Sequence, residues 1–88
     1  MKIRIRYFAS LREIVGQSEE ALNVSEGASV ATMRAELLAR HPDLQPIMQR
    51  CLSAVNRRYV DVETELHEDD EIVFIPPMGG GTFQEEMD

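Results

Sequence analysis

The 88 residues predict an α+β domain, one long helix lying on one face of a sheet, on three observations. Apolar residues alternate from Lys2 to Phe8 and again from Glu20 to Val24, the period of half-buried strands. Val30, Met33, Leu37 and Leu38 recur at i, i+3, i+7 and i+8, the stripe of an amphipathic helix. Ile72-Val73-Phe74-Ile75 is an uninterrupted β-branched and aromatic run. The resulting order, β, short α, β, long α, β, β, is that of a sheet wrapped on a single main helix.

In the first strand Ile3, Ile5 and Tyr7 share one face, and Lys2, Arg4, Arg6 and Phe8 the other. Phe8 breaks the basic pattern, so it either lies under a neighbouring element or is an exposed apolar contact. Leu11, Ile14 and Val15 then fit one or two helical turns, which Gly16 can end with a positive φ. Ser25-Glu26-Gly27 closes the second strand as a turn, and the two strands form a hairpin-like pair. Ser29 is placed to cap the main helix, which Pro42 stops near His41. His41 itself suits helix-terminal capping. From Asp43 to Arg50 the chain reads as a connector or short helix interrupted by Pro46.

Leu52 to Asn56 is a third strand, Arg57-Arg58 a polar turn, and Tyr59, Val60 and Val62 an irregular apolar stretch. The run at 72–75, without an interposed charge, predicts a central strand covered on both faces.

Sixteen acidic against nine basic residues give a formal charge of −7, which disfavours nucleic acid as a partner and suits a basic protein surface. Cys51 is the single cysteine, so no disulfide framework or four-thiolate zinc site can form within the chain. Its place beside Leu52 suits a buried structural thiol better than a reactive one. The sequence presents no signal peptide and no apolar run near the ~18 residues of a membrane span, so the cytoplasm is the expected location. His67 among Glu68, Asp69, Asp70 and Glu71 reads as a solvated turn rather than a metal site. Asp61, Glu63 and Glu65 would share a face if extended, but acid–base chemistry also needs a cleft that so small a domain can hardly provide.

After Ile75 the composition changes. Pro76 and Pro77 stop the sheet and hold the chain extended, and Gly79-Gly80-Gly81 have no Cβ to obstruct entry into a narrow channel. Six extended residues reach roughly 20 Å. On composition alone such a run is a flexible linker; it is not a phosphate-binding loop, because the Lys-Ser/Thr partner and the following helix are missing.

Several motifs together resemble a family. Tyr7-Phe8-Ala9, Leu11-Arg12-Glu13-Ile14-Val15-Gly16, Ala54-Val55-Asn56, Asp70-Glu71-Ile72 and Phe74-Ile75-Pro76-Pro77-Met78-Gly79-Gly80-Gly81 are similar to the small subunit of molybdopterin synthase. That family belongs to the ubiquitin-like β-grasp sulfur carriers, which include the thiamine-pathway carrier, and the resemblance spans residues 1 to 81. It implies a β-grasp domain over 1–75, a mixed sheet packed on the main helix, a flexible tail over 76–81 and an extension over 82–88. It also implies that Gly81 is the working terminus. An E1-like activating enzyme would adenylate its carboxylate with ATP, a persulfide sulfur would replace the adenylate, and Met78, Gly79 and Gly80 would carry the thiocarboxylate into the large subunit.

The chain itself would then be no enzyme and would bind no cofactor or metal. Its main partner would be the large subunit, in a heterotetramer. Phe8, Tyr59 and Ile75 correspond to positions that the family turns toward that subunit, with Arg12 as a polar contact; core packing is the competing reading for the three apolar ones. The family's diproline is followed by two variable residues, here Met78 and Gly79, and a terminal diglycine.

Here Thr82-Phe83-Gln84-Glu85-Glu86-Met87-Asp88 follows Gly81, whose carboxyl group is therefore tied up in an amide bond. Removal of these residues by a protease would free it and take away three acidic side chains, moving the formal charge from −7 to −4. If they stay attached, the chain has lost carrier chemistry and acts as a ubiquitin-like binding module; with Gly81 free, the alternatives are a carrier of another sulfur pathway, such as thiamine, cysteine or a thio-metabolite, or a conjugating module.

Overall fold

The first alternating segment forms β1 (Lys2–Tyr7), with Ile3, Ile5 and Tyr7 buried and Lys2, Arg4 and Arg6 exposed, in a computed structural model that describes residues 1–77. A short helix, α1 (Ser10–Val15), ends at Gly16, whose φ of 89° is a left-handed conformation available to glycine without Cβ strain. Leu11 is buried under α1, whereas Ile14 is 41% exposed. β2 (Glu19–Asn23) returns antiparallel to β1 with Leu22 opposite Ile3.

The Ser29 hydroxyl accepts from the backbone N–H of Thr32 at 3.2 Å and starts α2 (Val30–Arg40). Val30, Met33 and Leu37 are buried on its inner face, and Leu38 is half-buried. The helix's first backbone donors are satisfied from elsewhere in the chain, Val30 N–H by the Thr64 carbonyl at 2.9 Å and Ala31 N–H by that of Val62 at 2.8 Å. The acidic stretch 61–66 is thus a strap across the head of α2. Within it Asp61 Oδ1 accepts from the backbone of Glu63 at 3.0 Å in a turn, so Asp61, Glu63 and Glu65 do not share an extended face.

A 3₁₀ turn (Pro42–Leu44) leads into α3 (Gln45–Met48), and Pro46 lies in the first turn of α3. A missing N–H costs nothing there, so Pro46 opens this helix where an interruption was expected. β3 (Leu52–Val55) and β4 (Arg58–Val60) form a hairpin whose turn is Asn56-Arg57, at φ 50° and 71°, the positive values a two-residue hairpin turn requires. The turn is therefore one residue earlier than expected: Arg58 begins β4, and the stretch from Tyr59 is regular through Val60. Asn56 also clasps the start of β5 (Glu71–Ile75), its Nδ2 donating to Asp70 Oδ1 at 2.8 Å and its Oδ1 accepting from the Glu71 N–H at 3.0 Å.

The sheet order is β2-β1-β5-β3-β4, with β1 and β5 parallel and the other neighbours antiparallel. β5 is central, as expected, but among the described residues it is covered on one face only. Ile72 and Phe74 are buried beneath α2 with Ile3, Ile5, Leu44, Met48 and Leu66, whereas Val73 and Ile75 remain half-exposed on the opposite face. No helix among the described residues is long and apolar enough to cross a membrane.

Candidate functional site on the open sheet face

Because side chains alternate along a strand, the face away from α2 receives Glu71, Val73 and Ile75 from β5, Arg6 from β1, Leu52 and Ala54 from β3, and Tyr59 from β4. The register sets Ala54 beside both Val73 and Tyr59, and Leu52 beside Ile75. Phe8, leaving β1, and Arg12, on α1, complete one wall. On this face lies a concavity of about 620 Å³ lined by Phe8, Arg12, Arg57, Tyr59, Val73 and Ile75 among others; Leu52 lies outside it.

All four residues expected at a partner surface, Phe8, Arg12, Tyr59 and Ile75, line this one concavity. Phe8 is 48% and Tyr59 50% exposed, and Ile75 lies on the open face of the sheet, so core packing describes none of the three. Met78, Gly79, Gly80, Gly81 and the extension 82–88 lie outside the described residues. The chain passes from Ile75 at the concavity through buried Pro76 to exposed Pro77.

Arg57 and Val73 were missed as members of the site. Val73 was legible in principle, since it shares the i, i+2 alternation of Glu71 and Ile75. Arg57 depends on the turn register. Ala9 adds a second feature no pattern announced, a φ of 50° outside glycine, at the corner that carries Phe8 and Arg12.

The concavity is apolar at its floor and cationic at its rim. Arg6 lies 4.0 Å from the Glu71 carboxylate, which leaves Arg12 and Arg57 to set the sign of the opening. It suits docking of an apolar surface edged with acidic groups. Among the described residues no group of three or more His, Cys, Asp or Glu is placed to hold a metal ion.

On the opposite face the Tyr7 hydroxyl donates to Glu20 Oε1 at 2.5 Å, and His41 Nε2 lies 3.2 Å from the same oxygen. The His41 ring also meets Tyr7 edge-on, with centroids 6.1 Å apart. The backbone N–H of His41 closes α2 on Leu37, but its ring ties the end of α2 to β2 rather than capping carbonyls. Burial would raise the Glu20 carboxyl, but the hydrogen bonds from Tyr7 and His41 and the nearby charges outweigh it and hold the group below its ordinary value of 4.5. Burial, then the Glu20 bond and charge, push the Tyr7 hydroxyl up. A carboxyl whose folded value is depressed contributes stability above its unfolded value and loses it as pH falls through the folded one. Glu20→Gln is therefore expected to be less stable than the parent at pH 7, with the two urea midpoints converging as the pH is lowered toward 3.

Cys51 is half-buried, its thiol donates to the Ile47 carbonyl at 3.4 Å, and burial pushes it up to about 11, the character of an unreactive structural thiol.

A five-stranded mixed sheet with its first and last strands paired in parallel at the centre, grasping one long helix, is a ubiquitin-like β-grasp fold. A solved structure from Pyrococcus furiosus, provisionally assigned as molybdopterin converting factor subunit 1, superposes with a TM-score of 0.81 at 30% identity, over 89% of this chain and 99% of that one. The fold is also shared, with a TM-score of 0.68 and 23% identity over 92% of this chain and 100% of the other, with a chain from the complex of subunits 1 and 2 of the Helicobacter pylori molybdopterin-converting factor. The model of the ThiS family matches residues 5–81, and the chain belongs to that family. Its relatives include the molybdopterin synthase sulfur carrier subunit of Chlamydomonas reinhardtii, 36% identical over 83 residues that cover 92% of this chain and 100% of that protein.

Proposed function

We propose that this chain is the sulfur carrier subunit of a molybdopterin synthase and carries sulfur as a thiocarboxylate on Gly81. The observation that supports this most directly is the placement of an apolar, arginine-rimmed concavity where the chain leaves β5 toward Met78, Gly79, Gly80 and Gly81. A partner gripping that face through Phe8, Arg12, Tyr59 and Ile75 receives the tail beside it.

The chemistry is divided among proteins. Cleavage after Gly81 frees its carboxylate. An E1-like activating enzyme transfers AMP from ATP to that carboxylate, releasing pyrophosphate; the terminal sulfur of a partner's cysteine persulfide then displaces AMP to form an acyl disulfide, and a second thiol of the partner cleaves its S–S bond, leaving the thiocarboxylate on Gly81 and a disulfide on the partner. The synthase large subunit binds the concavity, shields the reactive tail from water and uses the sulfur, so the carrier supplies no acid, base or cofactor of its own.

Intact mass of the protein isolated from its own cells, before and after incubation with ATP, the activating enzyme and a sulfur source, tests this reading. A species ending at Gly81 that gains ~16 Da, oxygen replaced by sulfur at an activated carboxyl, is the expected result. A chain that remains full-length and unmodified with those partners present rules the carrier reading out. Co-purification of a molybdopterin synthase large subunit, rather than a thiazole synthase, identifies the pathway.

A further inference from the structure

We propose that residues 82–88 fold back onto the concavity of the open sheet face and cover it for as long as they remain attached. Phe83 enters among Phe8, Tyr59 and Ile75, and the carboxylates of Glu85, Glu86 and Asp88 face Arg6, Arg12 and Arg57. That the covered face is also the partner's face rests on the proposed function; the docking itself does not.

Charge makes the first case. Acidic residues outnumber basic ones sixteen to nine, yet three of the nine, Arg6, Arg12 and Arg57, line this one concavity against a single carboxylate, Glu71. Residues 82–88 are the converse, three acids and no base, with one aromatic side chain. Complementary potentials of this kind select an occupant and its orientation. A second copy of the chain is a poorer occupant, because a two-fold contact between open faces would set arginines against arginines.

Reach makes the second case. Ile75 is itself part of the lining, and Pro77 is only two residues beyond it. Residues 78–83 can span roughly 20 Å when extended, against molecular extents of 26 and 19 Å along the two shorter axes. The three glycines at 79–81 accept backbone conformations of either sign of φ, which a reversal of direction needs. So short a tether holds the segment at a local concentration on the order of millimolar, enough for a contact too weak to form between separate molecules. Cleavage after Gly81 would then release the thiocarboxylate-forming terminus and uncover the docking face in one event.

Nuclear magnetic resonance spectra of the full chain and of a chain ending at Gly81 test the docking without partner or sulfur. The expected result is a set of shift differences at Phe8, Arg12, Arg57, Tyr59 and Val73 that is independent of protein concentration. It should shrink in 1 M NaCl, where the screening length is about 3 Å. The double variant Arg12→Glu/Arg57→Glu should abolish these differences, whereas Arg50→Glu, outside the concavity, should retain them. Differences confined to residues 76–81 would overturn the proposal, as would differences that grow with concentration, which would assign the face to a second copy. The comparison of the two parent chains stands even if the double variant fails to fold. Because it uses no activating enzyme, its outcome is separate from that of the mass measurement.

Discussion

Phe8→Asp is expected to weaken association with the synthase large subunit by roughly 100-fold, about 2.7 kcal/mol at the usual conversion, while the isolated domain melts within a few degrees of the parent. Phe8 is already 48% exposed in the free chain, so its removal takes little from folding. In the complex it would be an aromatic anchor on the wall of the concavity, and a carboxylate there must be desolvated in its place. Ile14→Asp supplies the control, since Ile14 is similarly exposed at 41% but does not line the concavity. Titration calorimetry of both variants, using chains ending at Gly81, decides the matter. Equal losses for the two, or no loss at Phe8, would remove the concavity from the interface.

Phe74→Ala is expected to destabilise the fold by about 3–5 kcal/mol, which in a domain of this size lowers the melting temperature by roughly 15–30 °C. Phe74 is 1% exposed on the central strand and packs in the core beneath α2, with parallel β1 on one side and β3 on the other. Little of the cavity can collapse when both neighbouring strands are fixed by their ladders. Val73→Ala, one residue away but on the open face, should cost about 1 kcal/mol or less. Urea unfolding followed by circular dichroism measures both. A small and equal effect would contradict the one-sided burial of β5.

These contrasts mark how far the sequence was legible. The Ser29 cap, the Gly16 stop, the alternation of β1 and the stripe Val30, Met33, Leu37 are local, each set by neighbours within about one turn or one pleat, and they appear as read. Pro46 was misread because the effect of a proline depends on which turn of a helix it occupies. The run at 72–75 was misread for a more instructive reason. An apolar stretch on a central strand suits burial but does not say on how many faces; among the described residues α2 shields one face and leaves the other open.

By itself the sequence determined four of the five strands, the cap and stop of the main helix, the acidic charge and the Pro-Pro-Met-Gly-Gly-Gly run with its extension, because these are covalent or short-range properties. It also supplied, through family resemblance, Phe8, Arg12, Tyr59 and Ile75 as a set. Only the tertiary structure decided that these four share one concavity, that Arg57 and Val73 join them, that 61–66 straps α2 and that His41 pairs with Glu20. Each of those outcomes depends on strand order and register, which bring together residues up to 67 positions apart, Phe8 and Ile75 among them, through pairings that no local period encodes.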